Sequence, residues 1–139
     1  MFSIPNTKKD RYVVPFSQSF VKAGFPSPAQ EYFEDRIDIF KKIVKNPTST
    51  FLVKAKGDSM EGKGIQDGDV LVVDKSKEPK NNSIIIAYID GEFTVKRFVK
   101  EYDRIILYPA NSNYKPITIT QENEFLVWGV VTYVLHECL

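Results

Sequence analysis

The stretch SIIIAYIDGEFTVKRFV, residues 83–99, decides the fold. Two runs of β-branched and aromatic residues flank Asp90-Gly91, a dipeptide that accepts positive φ at both central positions of a two-residue hairpin turn. If the turn closes there, Ile89 faces Glu92, Ala87 faces Thr94 and Ile85 faces Lys96. Lys96 then stands among aliphatic side chains, while Arg97 falls on the opposite face of the strand. A lysine in an alternating strand ordinarily lies on a solvated face, so the register leaves Lys96 either an exposed cation or a buried one.

The same pattern extends on both sides of this hairpin. FLVKA (51–55), DVLVVD (69–74), RIILY (104–108), PITIT (116–120) and FLVWGVVTYVL (125–135) are strand-like and are separated by Gly, Asp, Asn and Pro. Residues 50–139 therefore read as a mainly β body. The last of these runs is apolar enough to be a central core strand or part of a subunit interface, and the first is favoured.

Upstream the pattern is lost. Residues 1–26 contain Pro5, Pro15, Pro26 and the basic run KKDR with no sustained period, which predicts an extended, flexible N-terminal arm. Residues 27–49 read as a helical connector. Ser27 stands as N-cap, Pro28 at the first helical position and Gln30 three residues after the cap; Phe33, Ile37, Phe40 and Val44 then follow at helical spacing. A break near Asp38 divides this segment into two short helices.

Composition narrows the function classes. With 139 residues, 42% of them hydrophobic and 27% charged, the chain fits one globular domain with an attached arm. A formal charge of +1 gives no global attraction to nucleic acid or to an anionic membrane. The arm has neither the length nor the recognition-helix pattern of a sequence-specific DNA reader. No run approaches the roughly 18 apolar residues of a membrane span, and no signal-peptide pattern opens the chain, so a cytoplasmic protein is expected. Cys138 is the single cysteine, which leaves no internal disulfide and no cysteine metal cluster. His136 is the single histidine and reads as a surface or packing residue.

The segment KGDSMEGKGIQDGDVLVVD (56–74) places Ser59 in a glycine-rich turn ahead of an apolar strand. Turn serines usually bond the local backbone, and that reading stands beside a nucleophilic one. A nucleophile needs a base, and nothing directs His136 towards Ser59. A lysine can replace histidine if its pKa of about 10.4 falls by roughly three units, a difference of about 4 kcal/mol that desolvation can supply.

Together, GDSMEGKGIQDGDVLVVD, IDGEFTVKRF, LYPANSNYKPI and VWGVVTYV resemble, in order, the catalytic domain of the LexA-like self-cleaving serine peptidases. AGFPSPAQEYFEDRIDI ahead of that body resembles the UmuD-type accessory proteins of error-prone DNA polymerases. The resemblance implies a LexA/signal-peptidase-like β body, a Ser59–Lys96 dyad, and an oxyanion held by the backbone N–H groups of Ser59 and Asp58. It also implies self-cleavage of the Ala23–Gly24 bond in the arm, without cofactor or metal. Many such proteins carry Cys before that glycine; Ala23 is similarly small. The implied partners are a second copy of the chain in a homodimer, a RecA filament on single-stranded DNA as activator, and a UmuC-type Y-family polymerase subunit in the SOS response. Three readings compete: a non-catalytic polymerase-binding module, a phage-type self-cleaving repressor, and a signal peptidase, the last disfavoured by the lack of an apolar anchor.

Overall fold

A computed structural model describes residues 12–17, 21–24 and 35–139. The chain divides between Lys45 and Asn46 into two compact units.

In the first unit, β1 (Val13–Phe16) pairs antiparallel with β2 (Asp35–Asp38), Val14 opposite Ile37 and Pro15 opposite Arg36. A two-stranded ribbon leaves each strand one free edge, where a proline lacking its N–H is tolerated. Helix α1 (Ile39–Ile43) follows directly, capped by the Asp38 carboxylate, which accepts from Phe40 N at 3.0 Å.

These elements correct two expectations. Val13–Phe16 is a strand, so the arm is not irregular throughout. Ile37 belongs to a strand and not to a helical stripe, and α1 is only five residues long, with Ile43 buried and Phe40 exposed. The physical reason lies at Asp38. Its side chain starts a helix where it stands, and the residues before it are committed to a ladder with Val14, Pro15 and Phe16. The capping sequence at Ser27, Pro28 and Gln30, and Phe33, lie outside the described residues.

The second unit is an antiparallel sheet in the order β3-β4-β9-β5-β6-β7-β8. Its strands are β3 (Thr50–Lys54), β4 (Val70–Asp74), β5 (Ile84–Ile89), β6 (Glu92–Glu101), β7 (Arg104–Tyr108), β8 (Ile117–Thr118) and β9 (Phe125–Leu135). The mainly β, LexA-like architecture is thus realised. β9 runs between β4 and β5, which gives the most apolar segment a central position.

Alternation divides the core into two clusters. Leu71, Val73 and Ile86 pack with Ala55, Met60 and Ile65, whereas Ile85 and Ala87 pack with Phe98, Leu107 and Val130. A sheet covered on both sides accounts for the near-continuous apolar runs of β4 and β5. The β5–β6 turn has φ of 48° at Asp90 and 91° at Gly91, the primed geometry expected of that dipeptide. Ile85 accordingly stands opposite Lys96, Ala87 opposite Thr94 and Ile89 opposite Glu92.

The entry to the sheet is fastened by Asp74, buried at the end of β4. Its carboxylate accepts from Asn46 Nδ2 at 2.9 Å, Ser49 Oγ at 2.8 Å, Ser76 N at 2.8 Å and Ser76 Oγ at 2.7 Å. The Asn46 bond first, then those from Ser76, hold this carboxyl well below the usual carboxylate range. A depressed acid pKa stabilises the fold above the unfolded value of about 3.9, and the contribution is lost as pH falls through the folded value. Asp74→Asn is expected to lower the urea unfolding free energy at pH 7 by about 2 kcal/mol, because it replaces charge-assisted bonds with weaker neutral ones. The difference from the wild type should shrink below about pH 4, where the unfolded-state carboxyl takes up its proton.

Candidate active site

Ser59 lies in the turn between β3 and β4, and this turn is held from two directions. Gly57 adopts φ of +94°, a left-handed conformation suited to glycine, and donates its N–H to Asp67 Oδ1 at 2.7 Å. On the other side the turn meets residues 110–114. Ala110 N donates to the Ser59 carbonyl at 2.6 Å, and Gly62 N donates to the Ala110 carbonyl at 2.8 Å. A side chain at position 62 would put its Cβ 2.5 Å from that carbonyl oxygen, so the approach requires glycine. Asn111 Nδ2 donates to the Asp58 carbonyl at 2.9 Å, and Tyr114 Oη donates to Asp58 Oδ1 at 2.6 Å.

Lys96 reaches this turn from β6. It is 7% exposed, and burial pushes its pKa below that of an ordinary lysine. Its Nζ lies 3.4 Å from Ser59 Oγ, 2.8 Å from Thr94 Oγ1 and 3.1 Å from the Val95 carbonyl. An ammonium can donate to all three oxygens. A neutral amine keeps two N–H donors and gains one lone pair. It can then donate to Thr94 and Val95 and accept the Ser59 hydroxyl proton, so the same three partners suit both protonation states. Arg97, on the opposite face, donates to Asn82 Oδ1 at 2.8 Å and stands over the Tyr108 ring at 4.6 Å. The hairpin register therefore separates a desolvated cation from a solvated one.

A cleft of about 220 Å³ adjoins Ser59, lined in part by Val53, Ala55, Ile86, Phe93 and Val95. An apolar hollow of about 240 Å³ shares Val53, Ile86 and Phe93 with it and adds Trp128. Such walls accept small or branched apolar side chains. Among the described residues no acceptor is paired with the backbone N–H of Asp58 or of Ser59. Ala23 and Gly24 are exposed in a bend.

His136 is a surface residue, as read from the sequence, and it has a partner. Its Nδ1 lies 2.6 Å from Asp69 Oδ1, and Ser59 is not among its partners. Among the described residues no cluster of His, Cys, Asp or Glu could hold a metal ion, and no helix is long and apolar enough to cross a membrane.

A family model described as Peptidase S24-like matches residues 15–132. The chain belongs to the S24-like peptidase family. Its members are serine peptidases of the LexA-like kind, as the resemblance implied. The chain is 42% identical over 127 residues to Protein ImpA of Salmonella typhimurium, an alignment covering 91% of this chain and 86% of that protein. It is 42% identical over 125 residues to Protein MucA of Escherichia coli, covering 89% and 85%. To Protein SamA of Salmonella typhimurium strain LT2 it is 39% identical over 133 residues, covering 96% and 92%.

Thr94, Asn111 and Tyr114 carry no role that the sequence pattern assigns. Thr94 had a usable signal, since it precedes Lys96 by two residues and so shares its face of the strand. Asn111 and Tyr114 act on Asp58 across 53 and 56 residues, and no local pattern announces such a contact.

The depressed pKa of Lys96 has a measurable consequence. Between its folded pKa and the unfolded value of about 10.4 the unfolded chain binds more protons, so stability rises with pH in that window. Comparing wild type with Lys96→Met by urea unfolding from pH 7 to 10.5 should show the wild type gaining stability relative to the variant as pH rises. A pH-independent difference would mean that Lys96 titrates as an ordinary lysine.

Proposed function

We propose that the protein is a self-cleaving serine endopeptidase in which Ser59 is the nucleophile, Lys96 the general base and Ala23–Gly24 the bond cut. The observation that carries this reading is the 3.4 Å approach of a buried lysine, its charged form disfavoured by desolvation, to a serine hydroxyl.

In the first step neutral Lys96 takes the Ser59 proton while Oγ bonds to the Ala23 carbonyl carbon. The carbonyl electron pair moves onto oxygen, and the backbone N–H groups of Ser59 and Asp58 receive the oxyanion. Collapse breaks the Ala23–Gly24 bond, and the proton held by Lys96 passes to the departing Gly24 amine. The Ala23 ester on Ser59 is then hydrolysed by water, with Lys96 taking one proton from the water and returning it to Ser59 Oγ. Thr94 and the Val95 carbonyl keep Nζ in place throughout. Gly24 lets the backbone approach the serine closely.

The cut would detach β1, so β2 would lose its ladder partner while the 46–139 unit stays covalently whole. The event is thus a switch, one cut per chain. We assign the switch to the SOS response: a RecA filament on single-stranded DNA promotes the cut, and the processed chain, as a homodimer, joins a UmuC-type Y-family polymerase as accessory subunit for translesion synthesis. The likeness to UmuD-type proteins and the 42% identity to ImpA and MucA support this assignment, as does a site suited to one tethered substrate.

Purified protein held at about pH 10, where a larger share of the lysine is neutral, should release a fragment whose N-terminus is Gly24. The rate should rise from pH 7 upwards, and RecA filaments should accelerate the cut at pH 7. Ser59→Ala and Lys96→Ala should remain intact. Appearance of the fragment from Ser59→Ala would exclude the dyad, and an uncut wild type under every condition would favour a pure binding module.

A further inference from the structure

The peptide group joining Asp58 to Ser59 is one plane, in which the carbonyl belongs to Asp58 and the N–H to Ser59. In the trans form the two point in opposite directions. No cis peptide bond occurs among the described residues. Whatever holds the Asp58 oxygen therefore aims the Ser59 N–H. Two donors hold it, Asn111 Nδ2 at 2.9 Å and Glu61 N at 3.2 Å. The Glu61 bond lies within the same turn and moves with it. Asn111 comes from another part of the chain and supplies an external reference.

Asn111 is itself fixed. Its Oδ1 accepts from Asn113 N at 2.9 Å, which closes its own turn and leaves Nδ2 directed at Asp58. The attachment of this loop to the serine turn already has two main-chain bonds, Ala110 N to the Ser59 carbonyl and Gly62 N to the Ala110 carbonyl. Nδ2 is thus not needed to close the Asn111 turn or to hold the loop against the serine turn. What it adds is a reference from outside the turn for the tilt of the Asp58–Ser59 peptide plane.

We propose that Asn111 is a positioning residue that aims the Ser59 backbone N–H at the oxyanion of the cleavage reaction. This rests on the Ser59–Lys96 reading and adds a division of labour to it. Lys96 controls the proton, while the 110–114 loop controls the electrostatic stabilisation of the transition state. Tyr114, through the Asp58 carboxylate, restrains the same residue from its other end.

Asn111→Asp separates the two functions of the side chain. It keeps an oxygen to accept from Asn113 N, replaces the donor to Asp58 with an acceptor, and adds a negative charge. Asn111→Ser is the uncharged counterpart, since a serine can close the same turn but is too short to reach Asp58. First-order self-cleavage would be followed from pH 7 to 11 for wild type, both variants, Ser59→Ala and Lys96→Ala, with thermal melting of each. Complete loss of an oxyanion donor costs about 100-fold or more in rate, so a misaimed one is expected to cost about 10-fold to 100-fold. Both variants should show this loss in the high-pH rate with melting close to wild type, and the uncharged Asn111→Ser should leave the pH of half-maximal rate unchanged because Lys96 is untouched.

Cleavage of either variant at the wild-type rate overturns the proposal. So does a rate loss that comes with a shifted pH midpoint or that follows a lowered melting temperature in both variants, because Asn111 would then only hold the turn together. Cleavage by Ser59→Ala would instead overturn the dyad, a failure distinct from that of the positioning role.

Discussion

A lysine taken out of water is the constraint on which the site depends. Lys96 is 7% exposed, and a charge held there lacks the hydration that an ammonium has in solvent. Burial alone would only weaken the fold. The surroundings turn that cost to use by offering three oxygens, those of Ser59, Thr94 and Val95, at distances that suit either the ammonium or the amine. Two larger features of the 46–139 unit bear on this arrangement. The Asp90-Gly91 turn sets the register that places Lys96 opposite Ile85, and β9 braces β5 from the other side. Moving the β5–β6 pairing by one residue would bring Arg97 to the inner face and Lys96 to solvent.

The serine is held by a different principle. Its turn contains Gly57, Gly62, Gly64 and Gly68, and a segment so rich in glycine has little conformational preference of its own. Order is imposed by the Asp67 carboxylate within the turn and, from outside, by the 110–114 loop. A rigid strand thus carries the buried lysine, and a pinned turn carries the hydroxyl. The strand needs no help to define its geometry, whereas the turn needs several distant partners.

The N-terminal unit illustrates how a helical period can mislead. Ile37, Phe40 and Val44 have the spacing of a helix face, yet Asp38 caps a helix that begins after it, and the residues preceding Asp38 pair with Val13–Phe16. Spacing by three and four over only a few apolar residues is compatible with a strand followed by a short helix. Pairing with a partner more than twenty residues earlier decides between the two, and that partner is a tertiary fact.

The strand segments of the body, the hairpin at Asp90-Gly91, the register that sets Lys96 opposite Ile85, and the pairing of Ser59 with Lys96 as candidates were legible in residues alone or through the LexA-like motifs they compose. Local rules suffice there because turn chemistry and alternation act over two to ten residues. The tertiary structure alone decided that Lys96 is buried and not solvated, that Thr94 shares its Nζ, and that Asn111 and Tyr114 grip Asp58. It also decided that His136 pairs with Asp69. Apart from the Thr94–Lys96 bond, these contacts join segments far apart in the chain, and their energies depend on burial and on distances that no stretch of sequence encodes by itself.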